Sequence, residues 1–161
     1  MDKANKLLKT FQETSTSVKK RLKTNGFILP VKHLNGIKFK HCFIFKNNNG
    51  WYDVVNLHNM KNIYKTNISN IKLAVAYAIY VGCKKRIRER DFDEIDHEYL
   101  HYLNEVRLFQ HQIAVSKKAN NQFKADILQT RLDIVQTRLY HAKNRVNRFL
   151  DMAESLLFEN K

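Results

Sequence analysis

Ten residues in the last third of the chain step by three and four without a break: Ala125, Leu128, Leu132, Val135, Leu139, Ala142, Val146, Phe149, Ala153 and Leu156. Such steps place every member on one side of an α-helix, so the spacing predicts a helix over 122–158 with a single apolar seam. In its middle lies LQTRLDIVQTRLYH, a heptad written twice, with Arg131 and Arg138 seven residues apart. A shorter seam precedes it: Ile95, Tyr99, Tyr102, Val106, Phe109, Ile113 and Ser116. Continuing that first seam leads to Asn120, Phe123, Ile127 and Thr130, which are not the second seam. The two registers differ by two residues near Lys117–Gln122. A turn at KKANNQ, closing an antiparallel hairpin of helices 94–116 and 122–158, accounts for the slip; one unbroken helix with a discontinuity is the alternative.

The hairpin has unequal arms, about 35 Å and about 55 Å at 1.5 Å per residue, so the second overhangs the first by roughly four turns. Val146, Phe149, Ala153 and Leu156 lie on the overhang. They must pack on an N-terminal helix, on a globular core, or on another copy of the chain. The expectation is a homo-oligomer with these four at the interface.

The rest of the chain reads as a small α+β body. Ala4, Leu8, Phe11, Ser15, Val18 and Leu22 share one face of a helix over 3–23, which Asn25-Gly26 stops. Phe27–Val31, Ile37–Phe45, Trp51–Leu57 and Asn62–Tyr64 are rich in β-branched and aromatic residues, and Asn35-Gly36 and Asn47–Gly50 are turn signals. These predict an antiparallel meander of three or four strands, with Lys38 and Lys40 pointing outward. The segment Asn70–Val81, capped by Asn67 or Ser69, is apolar nearly all round and is expected to lie buried on the sheet. The predicted divisions are a basic helix over 1–25, an α+β core with a basic linker over 26–92, and the hairpin over 93–161. With four glycines and one proline among 161 residues, long helices have few interruptions.

Charge is unevenly placed. Residues 1–66 carry 13 Lys and Arg against 3 acids, whereas residues 94–161 carry 10 against 9. A polyanion-binding surface therefore belongs to the first 93 residues, and a nucleic acid is the expected partner. The candidates are Lys19, Lys20, Arg21 and Lys23, the strand lysines Lys38 and Lys40, and Lys84, Lys85, Arg86 and Arg88 of the run KKRIRER. Phe27, Phe39, Phe43, Phe45, Trp51, Tyr52 and Tyr64 could stack on bases or simply fill the sheet's core. Arg131 and Arg138 sit in a nearly neutral half and are expected to flank the seam as partners of acids.

Enzymatic signatures are scarce. No phosphate loop, dinucleotide fingerprint or nucleophile elbow occurs. His97-Glu98-x-x-His101 matches the zinc-peptidase pattern over five residues, but Asn104 and Arg107 stand where those families extend toward a third ligand. The chain is expected to be non-enzymatic and without a cofactor, with a zinc site at His97 and His101 as the alternative. Cys42 and Cys83 lack metal-ligand spacing and read as reduced thiols. Neither a signal peptide nor a membrane span is evident, and an intracellular protein is expected.

GWYDVVNLHNMKNIYKTNISNIKLAVAYAIYVG, followed by an acidic helix start and a helical hairpin, resembles small uncharacterised proteins of marine tailed bacteriophages. The likeness covers residues 50 to about 150 as a pattern. It implies a phage protein acting in the cytoplasm of the infected cell or in the virion, where protein partners alone would be the alternative to nucleic acid. It transfers no site residues.

Overall fold

A computed structural model describes residues 16–28 and 36–159. The predicted helix over residues 3–15 and strand residues 29–31 lie outside that set. The fold is α+β: α1 (Thr16–Thr24), β1 (Gly36–Phe39), β2 (Cys42–Lys46), β3 (Tyr52–Asn56), β4 (Ile63–Ile68), α2 (Ile71–Gly82), α3 (Glu89–Lys118) and α4 (Gln122–Glu159). The described residues form two compact units, one running to Arg88 and resuming at Phe149, the other spanning Glu89–Arg148. The last turns of α4 thus group with the first unit.

In the first unit, the four strands form an antiparallel meander in the order β1-β2-β3-β4. The predicted strand Ile37–Phe45 is two strands. Phe39 pairs with Cys42 across a two-residue turn in which Lys40 has φ 51°. That conformation is usually announced by Gly, Asn or Asp, and a lysine gives no such notice. Gly36, read as a turn residue, lies buried in β1 opposite Phe45. A Cβ there would fall 2.1 Å from the Ile44 carbonyl oxygen and 2.6 Å from the Phe43 ring, so glycine permits the close approach of β1 to β2. The Asn47–Gly50 turn forms as its residues predict. Gly50 has φ 84°, and the Asn47 side-chain oxygen accepts from the Asn49 and Trp51 amides. β2 is buried on both faces through Cys42, Phe43 and Ile44, and Lys38 is half-buried rather than pointing freely outward.

Helix α2 lies against all four strands with Leu73 to Ile79 buried, as an all-apolar helix must. Its N-cap is Asn70, whose side chain accepts from the Lys72 amide, rather than Asn67 or Ser69. Gly82 is buried at its end, where a Cβ would meet the Phe39 ring at 2.6 Å.

Helix α1 ends as expected. Gly26 has φ 88° and the Phe27 amide reaches back to the Leu22 carbonyl. Leu22 of α1, Ile71 and Val75 of α2 and Leu150 of α4 line one small cavity. Phe149 packs beside Tyr80 with ring centroids 5.7 Å apart. Arg21 is paired with both Asp151 and Glu154, and Asn25 donates to Glu154. Phe149 and Ala153 are thus buried by the chain's own helices, Val146 is buried as well, and Leu156 is half-buried. Three of the four overhang residues are thus buried within one chain, and Leu156 keeps part of its surface open.

Cys42 begins the inner strand β2 and is fully buried, and burial pushes its thiol up to about 12, with a smaller push from Cys83. A thiol so raised is protonated and unreactive near neutrality. At pH 8 the half-buried Cys83 is expected to alkylate first in the native protein, with Cys42 reacting only on unfolding. Mass mapping of alkylated peptides checks this, and equal labelling of both would contradict the buried placement.

The second unit is an antiparallel hairpin. Its helices are joined by a true turn at Ala119–Asn121, not by a helical discontinuity. Asn120 adopts φ 56°, the Asn121 amide donates to the Ser116 carbonyl, and the Asn121 side chain accepts from the Lys124 amide. One residue type thus ends α3 and caps α4. Val106 and Ile113 pack with Leu128, Leu132, Val135 and Leu139, flanked by Tyr99, Tyr102, Leu103 and Phe109. Every described residue of the ten-position seam is buried except Leu156. α3 begins at Glu89, five residues before the predicted start, with Glu89 and Asp91 in its first turn. Acids there suit the positive end of the helix dipole. No helix among the described residues is long and apolar enough to cross a membrane.

Candidate functional site

The first unit concentrates the charge. Its described residues hold 14 Lys and Arg against four acids, Asp53, Asp151, Glu154 and Glu159. Three of the four are engaged. Asp53 accepts from the Asn47 side chain and the Asn67 amide, both at 2.9 Å. Asp151 and Glu154 hold Arg21. Arg21, a candidate for phosphate contact, is instead a bridge from α1 to the end of α4. Its guanidinium is raised above its ordinary value chiefly by the hydrogen bond with Glu154.

The remaining candidates fall into two groups along α2. Lys19, Lys20 and Lys23 ride on α1, whose Leu22 faces the first half of α2; Lys20 and Lys23 are exposed and Lys19 is half-buried. The second group lies at the opposite end of α2. There the Lys84 residue takes φ 56°, its amide donating to Val81, while the Lys85 amide donates to Tyr80. This left-handed cap turns the chain sharply, and buried Ile87 pins it again three residues on. Between these anchors Lys84, Lys85 and Arg86 are held outward, and Arg88 follows, also exposed. Exposed Lys40 joins them. Its side chain passes the end of α2, with Cδ 3.4 Å from the position a Cβ on Gly82 would take. The association of Lys40 with Lys84–Arg86 was not legible from the sequence, because it depends on the tight β1–β2 turn and on Gly82 admitting the Phe39 ring. Among the described residues, none of Lys84, Lys85 and Arg86 is in an ion pair. Lys38, in β1, is half-buried and offers less surface.

The aromatic residues are part of the core. Phe27 stacks on Phe39 at 4.8 Å, and Phe43 on Phe45 at 5.9 Å. Phe27, Phe39, Phe43 and Tyr52 are buried, while Phe45, Trp51 and Tyr64 are half-buried. Among the described residues, none of these seven aromatic side chains is exposed, which leaves no free row of faces for stacking on bases.

The histidine pattern lies on α3, in the second unit. His97 and His101 are exposed, and His101 Nε2 is 3.2 Å from Glu105. Glu98, the residue that would polarise a zinc-bound water, is paired with Arg145. Among the described residues no three His, Cys, Asp or Glu side chains are gathered to hold a metal ion. Comparison of the chain with protein-family models, with curated proteins and with solved structures finds no match.

Proposed function

We propose that the first unit binds the phosphate backbone of a nucleic acid without reading its sequence, through Lys84, Lys85, Arg86 and Lys40, with Arg88 beside them and Lys19, Lys20 and Lys23 as a second contact. The observation that carries this reading is the imbalance of 14 cations over four acids in one compact unit, with three of those acids already engaged. Phosphates require only positive charge and hydrogen-bond donors, and a backbone-fixed cationic loop offers both with little ordering cost. The burial of the aromatics favours backbone contact over stacking on bases.

A labelled duplex DNA and a single strand, each titrated at low salt, test it. Wild type is expected to bind both. Lys84→Glu, Lys85→Glu and Arg86→Glu together are expected to weaken binding by roughly tenfold or more. Arg107→Glu with Lys143→Glu, on exposed positions of the hairpin, is expected to change it little. Absence of binding at low salt would overturn the proposal.

A further inference from the structure

The hairpin carries a second apolar stripe that its own packing does not use. Phe123, Ile127, Thr130, Ile134, Thr137 and His141 follow the same three-four rhythm along α4. At 100° per residue, this stripe lies about 150° around the helix from the buried seam. Phe123 is 78% exposed, Ile127 43% and Ile134 52%. The two threonines contribute to its apolar character. Their hydroxyls donate back to the Asp126 and Asp133 carbonyls at 3.2 and 3.1 Å, which satisfies the polar atom within the helix.

The flanks identify the occupant. In heptad terms Ile127 and Ile134 are a positions and Phe123, Thr130 and Thr137 are d positions. The e positions are then Lys124, Arg131, Arg138 and Arg145, all cationic, and the g positions include Asp126 and Asp133. The repeat ILQTRLD-IVQTRLY thus writes one charge on each side of the stripe. In a parallel pair of such helices, g of one heptad meets e of the next on the partner. Asp126 would face Arg131 of the second copy, and Asp133 would face Arg138. An antiparallel pair would set arginine against arginine.

Within the chain these groups do not pair with one another. Asp126 and Asp133 are held by Gln122 and Gln129, at 2.7 and 3.0 Å. Among the described residues neither Arg131 nor Arg138 is in an ion pair, which corrects the expectation that they serve acids of their own chain.

We propose that the outward face of α4, from Phe123 to His141, is the docking surface for a second copy of this chain, in parallel, closed by Asp126–Arg131 and Asp133–Arg138 pairs between copies. This surface lies wholly in the hairpin unit and does not depend on nucleic-acid binding.

Sedimentation equilibrium of the full chain, without nucleic acid and up to its highest soluble concentration, tests it. A reversible dimer is expected. Ile127→Asp with Ile134→Asp is expected to give a monomer; both positions are exposed, so the helical circular dichroism should not change. Arg131→Glu with Arg138→Glu is expected to weaken the dimer by roughly tenfold or more. Adding Asp126→Arg and Asp133→Arg to that variant is expected to restore it, since the pairs re-form with signs exchanged. A monomeric wild type would overturn the proposal. So would a dimer indifferent to the isoleucine changes, or one that charge reversal leaves unweakened.

Discussion

Phe149→Ala is expected to lower the stability of the first unit by about 3–5 kcal/mol, the usual cost of removing a buried phenylalanine and leaving its cavity. Phe149 lies on α4, far in sequence from the sheet, yet it packs beside Tyr80 of α2 and is only 9% exposed. Its loss would strip the last turns of α4 from the body they help close. A drop in melting temperature on the order of 10 °C corresponds to that energy for a chain of this size. The single tryptophan, Trp51, sits just before β3 in the same unit, so its fluorescence reports on this unfolding. The loss should be independent of protein concentration. A loss seen only where chains associate would mean that Phe149 is covered by another copy.

Gly36→Ala is expected to be comparably damaging, at about 3 kcal/mol or more. The added methyl would fall 2.1 Å from the Ile44 carbonyl oxygen and among the Phe43 ring atoms. Neither neighbour can give way cheaply, since one is backbone in the paired strand and the other is buried in the core. Gly26→Ala provides the contrast. It has open space around it, and its cost is the left-handed backbone alone, about 1 kcal/mol. Chemical denaturation followed at Trp51 separates the two. Equal effects would mean that β1 does not approach β2 as described.

The helices were the most legible part of the fold, and for a physical reason. Their apolar spacing is set by local geometry, so the seam from Ala125 to Ala153 could be read residue by residue. The slip of register near residue 120 reported a turn because no single straight face can carry both seams. The strands were less legible. Ile37–Phe45 has no glycine or asparagine at Lys40-His41, and β2 is apolar on both faces, so alternation could not mark its ends. Gly36 was misread because a glycine serving close approach looks the same in sequence as one serving a turn.

The overhang shows a different limit. Sequence established that Phe149 and Ala153 must be buried, but not by what. The partners lie more than 60 residues away, on α1 and α2, and the pairing of Arg21 with Asp151 and Glu154 has no local signature. The same limit applied to the cationic site. Lys84–Arg88 stood out as a run, whereas Lys40 joined it only through folding. In the repeat at 127–140 the charges could be read, but it took the exposure of Ile127 and Ile134 to show that a second face was free. A dimer through that face would carry two basic units, and linked sites raise avidity for a long polyanion.

The most direct measurement is the salt dependence of binding to a labelled DNA duplex, for wild type and for the variant with Lys84, Lys85 and Arg86 each changed to Glu. If these residues and Lys40 neutralise phosphates, the logarithm of affinity should fall linearly with the logarithm of salt concentration. These four should contribute about −3 to −4 to the slope, close to −0.9 per contact, with any phosphates met by Arg88 and the lysines of α1 adding to it. The variant should bind more weakly and with a visibly shallower slope. No binding at low salt, or a slope that the triple charge reversal leaves unchanged, would contradict a nucleic-acid surface at the end of α2.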